Sequence, residues 1–386
     1  MELVSRFFEE PDQSFFLFGP RGTGKSTWVS AAHKDALTVN LLEPEIYRAY
    51  SARPERLGEA VRANPGKTVI AIDEIQKVPS LLDMVHQLIE ETPGRKFILT
   101  GSSARKLKRA GVDLLAGRAL LKTMHPFLAA ELGAKFDLDK ALLHGLLPLA
   151  VGSPNPRDVL AGYAALYLKE EVQAEGLIRN VGQFARFLEA ISFSHGSILN
   201  VSNIARDCEI ERKTVESYIQ ILEDLLLAFR LPVFTKRAKR KTTEHPKFFL
   251  FDTGVFRALR PRGPLDKPQE IEGPALEGLV AQHLRAWNAY DGERHELCFW
   301  RTRGGAEVDF VVHGERGLWA IEVKNDRKAR DEDLRYLRSF LQDYPEARAI
   351  LLYRGKERLL RNGVLCLPCG DFLKNLAPGK SPDEGL

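Results

Sequence analysis

The eight residues Gly19, Pro20, Arg21, Gly22, Thr23, Gly24, Lys25 and Ser26 constrain this chain more than any others. They follow an apolar run, Ser14–Phe18, that reads as a strand, and they lead into Thr27–Ala32, which reads as a helix. Glycines at these spacings let backbone N–H groups turn toward an anion at the positive end of the following helix. Strand, Gly-x-x-x-x-Gly-Lys-Ser and helix in that order form the Walker A phosphate loop. Gly19 through Thr27 are therefore the candidate nucleotide contacts. Lys25 is placed to reach the β- and γ-phosphates of ATP, and Ser26 to ligate Mg²⁺.

Further apolar strands are expected at Ala36–Leu42, Thr68–Ile72, Lys96–Thr100 and Ala119–Met124, with helical stretches between them. Such alternation implies an α/β fold, a parallel sheet with helices on both faces. The third strand ends in Asp73 and Glu74. An acid there holds Mg²⁺ as a Walker B Asp does, and its neighbour orients or deprotonates the attacking water. The fourth strand ends in Gly101-Ser102-Ser103, at the edge where open α/β sheets bind ligands. Ser102 is a candidate sensor of the γ-phosphate or lytic water, with a simple turn as the alternative for this Gly-Ser-Ser.

At this point residues 1–150 resemble the AAA+-type ATPase domain of the additional-strand P-loop class. They are similar to a large bacterial and archaeal family in which that ATPase is joined to a C-terminal nuclease-like domain. The resemblance is carried by GPRGTGKS at 19–26, AIDEIQKVP at 71–79, LTGSSARKL at 99–107 and LAGRALLKTMHPF at 115–127. It implies an Arg after the fourth strand that completes a neighbour's nucleotide site in a ring; here that residue is Arg118, with an ordinary surface Arg as the alternative. Arg21 is a second candidate for contacts between subunits. Gly145–Pro148 resembles a lid element, with Leu146 where the related motif has a second Gly.

Beyond a break at Gly152–Pro156, helical patterns cover Val159–Glu175 and Val181–Phe193. Asn200–Ile210 then reads as a short helix and turn before a longer amphipathic helix, Glu211–Phe229. Two helices across a tight turn form a helix-turn-helix, whose second helix presents its first residues to a major groove. Arg212, Lys213, Thr214 and Ser217 lie there. A basic run follows with Lys236, Arg237, Lys239, Arg240 and Lys241, the composition of a wing near phosphates. A second basic cluster lies at 105–109. Protein–protein docking is the other use of such a module.

In the last third, Lys247–Asp252 reads as a strand, Pro274–Trp287 as a helix bearing Glu277, Glu307–Val312 as a strand bearing Asp309, and Trp319–Lys324 as a strand. Glu322 and Lys324 are two apart and share one face. Two carboxylates and a lysine converging there would suit a second Mg²⁺ or Mn²⁺ and phosphodiester attack. Asp followed by Glu-x-Lys is similar to the PD-(D/E)xK nuclease fold, and Glu277 matches the acid that fold often carries on its first helix. Domains of this fold either cut nucleic acid or only bind it.

A chain of 386 residues is expected to divide into several domains. The expected segments are an ATPase core at 1–152, a helical connector at 153–182 and an all-α winged-helix-like region at 183–243. A restriction-endonuclease-like α/β domain at 244–375 and a flexible tail at 376–386 complete them. No apolar run is long enough to cross a bilayer, and no signal pattern opens the chain, so a cytoplasmic protein without membrane contact is expected. The four cysteines, two of them at Cys366 and Cys369, read as free packing thiols rather than a zinc site. The expected function is an ATP-driven machine on double-stranded or branched DNA, working as a homo-oligomeric, hexamer-like ring. An ATP-gated signalling or defence switch and an ATP-regulated nuclease are the alternatives.

Overall fold

The computed structural model describes residues 4–102, 115–167, 180–236, 240 and 245–384. The basic cluster at 105–109, most of the expected helix beyond 167, and Arg237, Lys239 and Lys241 lie outside the described residues. The chain forms two compact units.

The first unit holds residues 8–125 together with 222–227. Its five strands are β1 (Phe15–Phe18), β2 (Leu37–Asn40), β3 (Val69–Asp73), β4 (Lys96–Gly101) and β5 (Leu120–Thr123). They pair in parallel in the order β2-β3-β4-β1-β5. Alternation sorts the side chains of these strands between two faces. Phe16, Phe18, Ile70, Ile72, Phe97 and Leu99 join one core cluster with Leu57 and Val61 of a helix at Arg56–Ala63 and Leu81, Leu82, Val85 and Leu88 of a helix at Leu81–Glu91. Phe15 looks the other way, toward Phe8 and Trp28, whose rings lie 5.9 and 6.4 Å from its own. Trp28 belongs to α1 (Lys25–Ala32), so helices cover both faces, as the alternation of elements implies. The first strand lies next to last in the sheet, which puts its carboxyl end at a switch point flanked by β4 and β5.

The second unit holds residues 4–7, 126–221 and 228–384. The expected end of the ATPase core at 152 thus falls well inside this unit. Residues 126–152 are bound there by their own backbone: Phe127 N–H donates to the Leu146 carbonyl at 2.9 Å, and Ala129 N–H to His283 Nε2 at 2.9 Å. Gly145–Pro148 is seated on Asp252, which accepts from Leu146 N–H at 2.8 Å. A β-carbon on Gly145, at φ 67°, would come within 2.1 Å of the Asp252 Oδ1, so only glycine fits.

The middle region is not all-α. A helix at Val181–Ser192 is followed by β6 (Ser197–Ile198), helices at Val201–Cys208 and Arg212–Asp224, β7 (Ala228–Leu231) and β8 (Lys247–Leu250). The strands form an antiparallel sheet in the order β6-β8-β7. The long helix ends at Asp224 rather than Phe229, because Phe229 pairs with Phe249 across β7 and β8. Asn180 and Asn200 cap their helices through side-chain oxygens that accept from Gln183 and Asn203 N–H, the role for which Asn is favoured.

The remaining sheet has β9 (His295–Arg301), β10 (Glu307–Gly314), β11 (Gly317–Lys324), β12 (Arg348–Tyr353), β13 (Leu359–Arg361) and β14 (Val364–Pro368). Its order, β13-β14-β12-β11-β10-β9, mixes parallel and antiparallel pairs. A helix at Pro268–Tyr290 carries Glu277 and extends well beyond the expected Pro274–Trp287, with Pro268 supplying the fixed φ of its first turn. The tail expected to be flexible is seated: Trp287 Nε1–H donates to the Ala377 and Lys380 carbonyls, and Trp319 Nε1–H to Asp383 at 2.8 Å. All four cysteines are buried and free. No helix among the described residues is long and apolar enough to cross a membrane.

Candidate nucleotide site and a buried acidic cluster

The loop between β1 and α1 takes the conformation its glycines permit. Gly22 and Gly24 have φ of 81° and 91°, values that side chains with a β-carbon rarely adopt. Gly19 cannot be replaced for a different reason: a β-carbon there would lie 2.4 Å from the Met124 carbonyl oxygen. Lys25 is buried, and its ammonium donates to the Gly19 and Pro20 carbonyls at 2.7 and 3.2 Å. Ser26 Oγ donates to Asp73 Oδ1 and Oδ2 at 3.0 and 2.8 Å. The two residues expected to share Mg²⁺ thus already face each other. This donor set, a hydroxyl beside a carboxylate and a lysine on the loop, suits ATP with its Mg²⁺. Arg21, Ser26 and Thr27 are open to solvent, whereas Thr23 is buried and its hydroxyl donates to the Pro20 carbonyl at 2.8 Å.

Two further residues complete the wall. Thr100 donates its hydroxyl to Asp73 and receives Glu74 N–H at 3.3 Å. Gln76 is buried, and its amide bonds both Glu74 and, at 3.2 Å, Ser102 Oγ. Glu74 itself has φ 60° and ψ 48°, a left-handed conformation unusual for a residue with a side chain. Such strain persists where surrounding structure enforces it and marks functional sites. Sequence reasoning placed Glu74 and Ser102 but missed Gln76 and Thr100; the signal available was Gln76 two residues after the acid pair.

Arg118 is elsewhere. It precedes β5, whose Leu120 pairs with Phe15 at the start of β1, so it lies at the end of the sheet away from the phosphate loop. Its guanidinium is 2.5 Å from Glu90 Oε1.

In the second unit, Glu277, Asp309, Glu322 and Lys324 do come together. Glu322 Oε2 accepts from Asp309 N–H at 3.4 Å, and Asp309 Oδ2 from Val323 N–H at 3.0 Å. Lys324 Nζ lies 2.6 Å from Glu322 Oε1. The cluster also contains a cation the sequence did not announce. Lys247 of β8, almost wholly buried, puts its ammonium 2.9 Å from Glu277 Oε1, 3.0 Å from Asp309 Oδ1 and 2.6 Å from Glu307 Oε1. Burial opposes the Lys247 charge, but Glu277, Asp309 and Glu307 together hold its pKa well above the ordinary lysine range. Burial, then the Asp309 charge, pushes the Glu277 and Glu322 carboxyls upward. A second divalent cation does not fit this arrangement: Lys247 already takes an oxygen from three of the acids, and Lys324 one from the fourth. No cluster suited to a metal ion is found among the described residues.

The DNA-contact candidates divide into two groups. Arg212, Lys213 and Ser217 are exposed on the first turns of their helix, and Thr214 is partly so; Arg212 is 3.6 Å from Glu216. Lys236 pairs with Glu296 at 2.5 Å, and Arg240 with Asp343 at 3.0 Å and Ser339 at 2.8 Å.

Three families match in succession. Residues 11–133 match the AAA domain, 135–266 a domain of unknown function (DUF8612), and 272–372 another (DUF4143). An uncharacterised protein of Haemophilus influenzae is 22% identical over 280 residues, covering 65% of this chain and 70% of its own. Among solved structures, the replication initiator DnaA bound to AMPPCP and single-stranded DNA overlaps at 11% identity with a TM-score of 0.28, covering 57% of this chain and 84% of its own. A Vibrio cholerae protein overlaps at 12% identity with a TM-score of 0.21, covering 80% and 88%. Overlaps this low assign neither fold nor function. The chain thus carries an AAA-type P-loop ATPase domain at its N-terminus, followed by two domains of unknown function.

Proposed function

We propose that this chain is an ATP-hydrolysing machine that acts on nucleic acid as a homo-oligomer. The observation that carries the reading is the Ser26–Asp73 contact beside Glu74, a strained acid held by Gln76. Bound ATP-Mg²⁺ would supply the cleavable phosphoanhydride. Lys25 would leave the Gly19 and Pro20 carbonyls to hold the terminal phosphates. Ser26 and Asp73 would hold the metal, and Glu74 would take the proton of the attacking water. Arg118, remote from its own loop, suits a role toward a neighbouring subunit's nucleotide in a ring.

The order helix, strand, helix, helix, strand, strand around an antiparallel sheet supports a winged helix-turn-helix, with Arg212, Lys213 and Ser217 presented outward. The convergence of Glu277, Asp309, Glu322 and Lys324 supports a nuclease-like fold for the last domain. Lys247 among those acids favours a structural or binding role there over metal-dependent cutting. Ion pairing of Lys236 and Arg240 favours a second reading, an ATP-gated switch whose middle domain docks protein. Lys25→Ala should abolish ATP turnover, and DNA should accelerate turnover in the parent protein. Indifference to every form of DNA would leave only the switch.

A further inference from the structure

A pocket of about 380 Å³ in the second unit is lined by four arginines, Arg157, Arg257, Arg260 and Arg262, with His144 and Leu160 beside them. Its floor comes from the helix at Thr253–Leu259 and its walls from helices at Leu138–His144 and Pro156–Gly162. Arg257 is buried, with Nη2 2.6 Å from Glu272 Oε1, yet its Nε has no hydrogen-bond partner among the described residues. A buried guanidinium N–H left unpaired is costly and asks for an acceptor. Arg260 is committed: it bonds Asp266 at 3.0 Å and the Pro261 carbonyl at 2.7 Å, and it stacks on the Phe193 ring at 3.6 Å. Arg157 and Arg262 are exposed at the rim and make no ion pair among the described residues.

Among the described residues, four guanidinium groups thus have two carboxylate partners, Glu272 and Asp266, leaving two positive charges in excess. Burial, then the Arg257 charge, lowers the Arg262 pKa, with Arg157 and Arg260 adding to the effect. A cluster of like charges around a cavity is relieved by a ligand of opposite charge. A phosphate monoester carries about −1.5 to −2 at neutral pH, and planar guanidinium forks match its oxygens. A pocket of this size also has room for a sugar-sized group attached to the phosphate.

We propose that this pocket binds a phosphate monoester, with Arg257 and Arg262 holding the phosphate and Arg157 closing over it. The site lies wholly in the second unit and does not depend on the ATPase reading. Two sources share this chemistry, a free mononucleotide and the 5′-phosphorylated end of a nucleic acid strand.

The test uses the full chain with Lys25→Ala, so that the phosphate loop does not compete. Binding of a nucleoside monophosphate, its nucleoside, and a 5′-phosphorylated and a 5′-hydroxyl oligonucleotide would be measured by calorimetry. At least one phosphorylated probe should bind tenfold or more tighter than its unphosphorylated counterpart, and which one does identifies the source. Arg262→Gln, at an exposed position, should weaken that binding at least tenfold, and Arg257→Gln likewise if it folds. Arg53→Gln, in the first unit, should leave it unchanged. Equal binding with and without the phosphate, no binding of any probe, or full affinity in Arg262→Gln would overturn the proposal.

Discussion

Ser26 and Asp73, 47 residues apart in sequence, meet through a hydroxyl that donates to both carboxylate oxygens at 3.0 and 2.8 Å. The pairing holds the two proposed Mg²⁺ ligands in position at the carboxyl edge of the parallel sheet. Glu74 follows directly, so the proposed base is positioned by the same strand. Glu74→Gln should retain ATP binding and slow turnover by ~10²-fold or more, as loss of a general base does. Equilibrium binding and single-turnover hydrolysis separate the two effects; unchanged turnover would move the base elsewhere.

Gln76 is a positioning residue for Glu74, since its amide bridges that acid and Ser102. Gln76→Leu keeps the volume but removes the amide. It should lower kcat by about tenfold, the range of one lost hydrogen bond to a charged group, with KM little changed. An equal change in kcat and KM with an unaltered pH profile would indicate a merely structural role.

Lys247 is itself buried and balances three acids, buried Asp309 and half-buried Glu277 and Glu307, so its loss should be severe. Removing one partner of a buried charge cluster costs about 3–5 kcal/mol, and Lys247→Met should lose stability on that scale in denaturant titrations. The vacated acids would then suit a divalent cation. Millimolar Mn²⁺ should restore part of the variant's stability and leave the parent's second unit unaffected. Mn²⁺ stabilisation of the parent that Asp309→Asn removes would show that Lys247 does not exclude metal.

Two buried histidines each weaken the fold on the acid side. Burial pushes His195 down to about 3 and His283 down to about 4, from an ordinary 6.5. His283 is committed at both nitrogens: Nε2 accepts from Ala129 N–H, and Nδ1–H donates to the Leu279 carbonyl at 2.7 Å. Between these values and 6.5 the unfolded chain binds more protons than the folded one. Each histidine therefore contributes a loss of stability as pH drops below 6.5, roughly 2 kcal/mol at pH 5, while the raised Glu277 and Glu322 carboxyls contribute in the opposite direction. Urea unfolding at pH 7.5 and pH 5 checks this. Between pH 7.5 and pH 5 the parent should lose about 2 kcal/mol relative to His283→Gln, and an unchanged difference between the two proteins would contradict it.

The phosphate loop, its strand and its helix were legible because one short motif needs one local geometry. Asp73 and Glu74 were legible for the same reason, standing at the end of an apolar strand. Glu322 and Lys324 followed from strand alternation, and Asp309 from the preceding strand together with the resemblance to the Asp, Glu-x-Lys pattern. Lys247 was not legible: it opens an otherwise apolar strand and reaches Asp309 from 62 residues away. That contact depends on how β8 meets β10 and the helix bearing Glu277, which no local pattern encodes. The sheet of the middle region was missed because β6 has only two residues, too few for a period, and β7 begins inside the apolar run read as a helix to Phe229. The seated tail escaped notice because its partners are distant in sequence: its carbonyls at 377 and 380 bond the Trp287 indole, and Asp383 bonds Trp319 and Arg348.

The proposed function couples ATP turnover in this chain to nucleic acid. Steady-state ATP hydrolysis by the full chain, titrated with single-stranded, double-stranded and branched DNA, tests it most directly. At least one form of DNA should raise turnover several-fold, and the double variant Arg212→Ala, Lys213→Ala should lose that response while keeping the basal rate. Turnover that no DNA form changes would contradict this coupling.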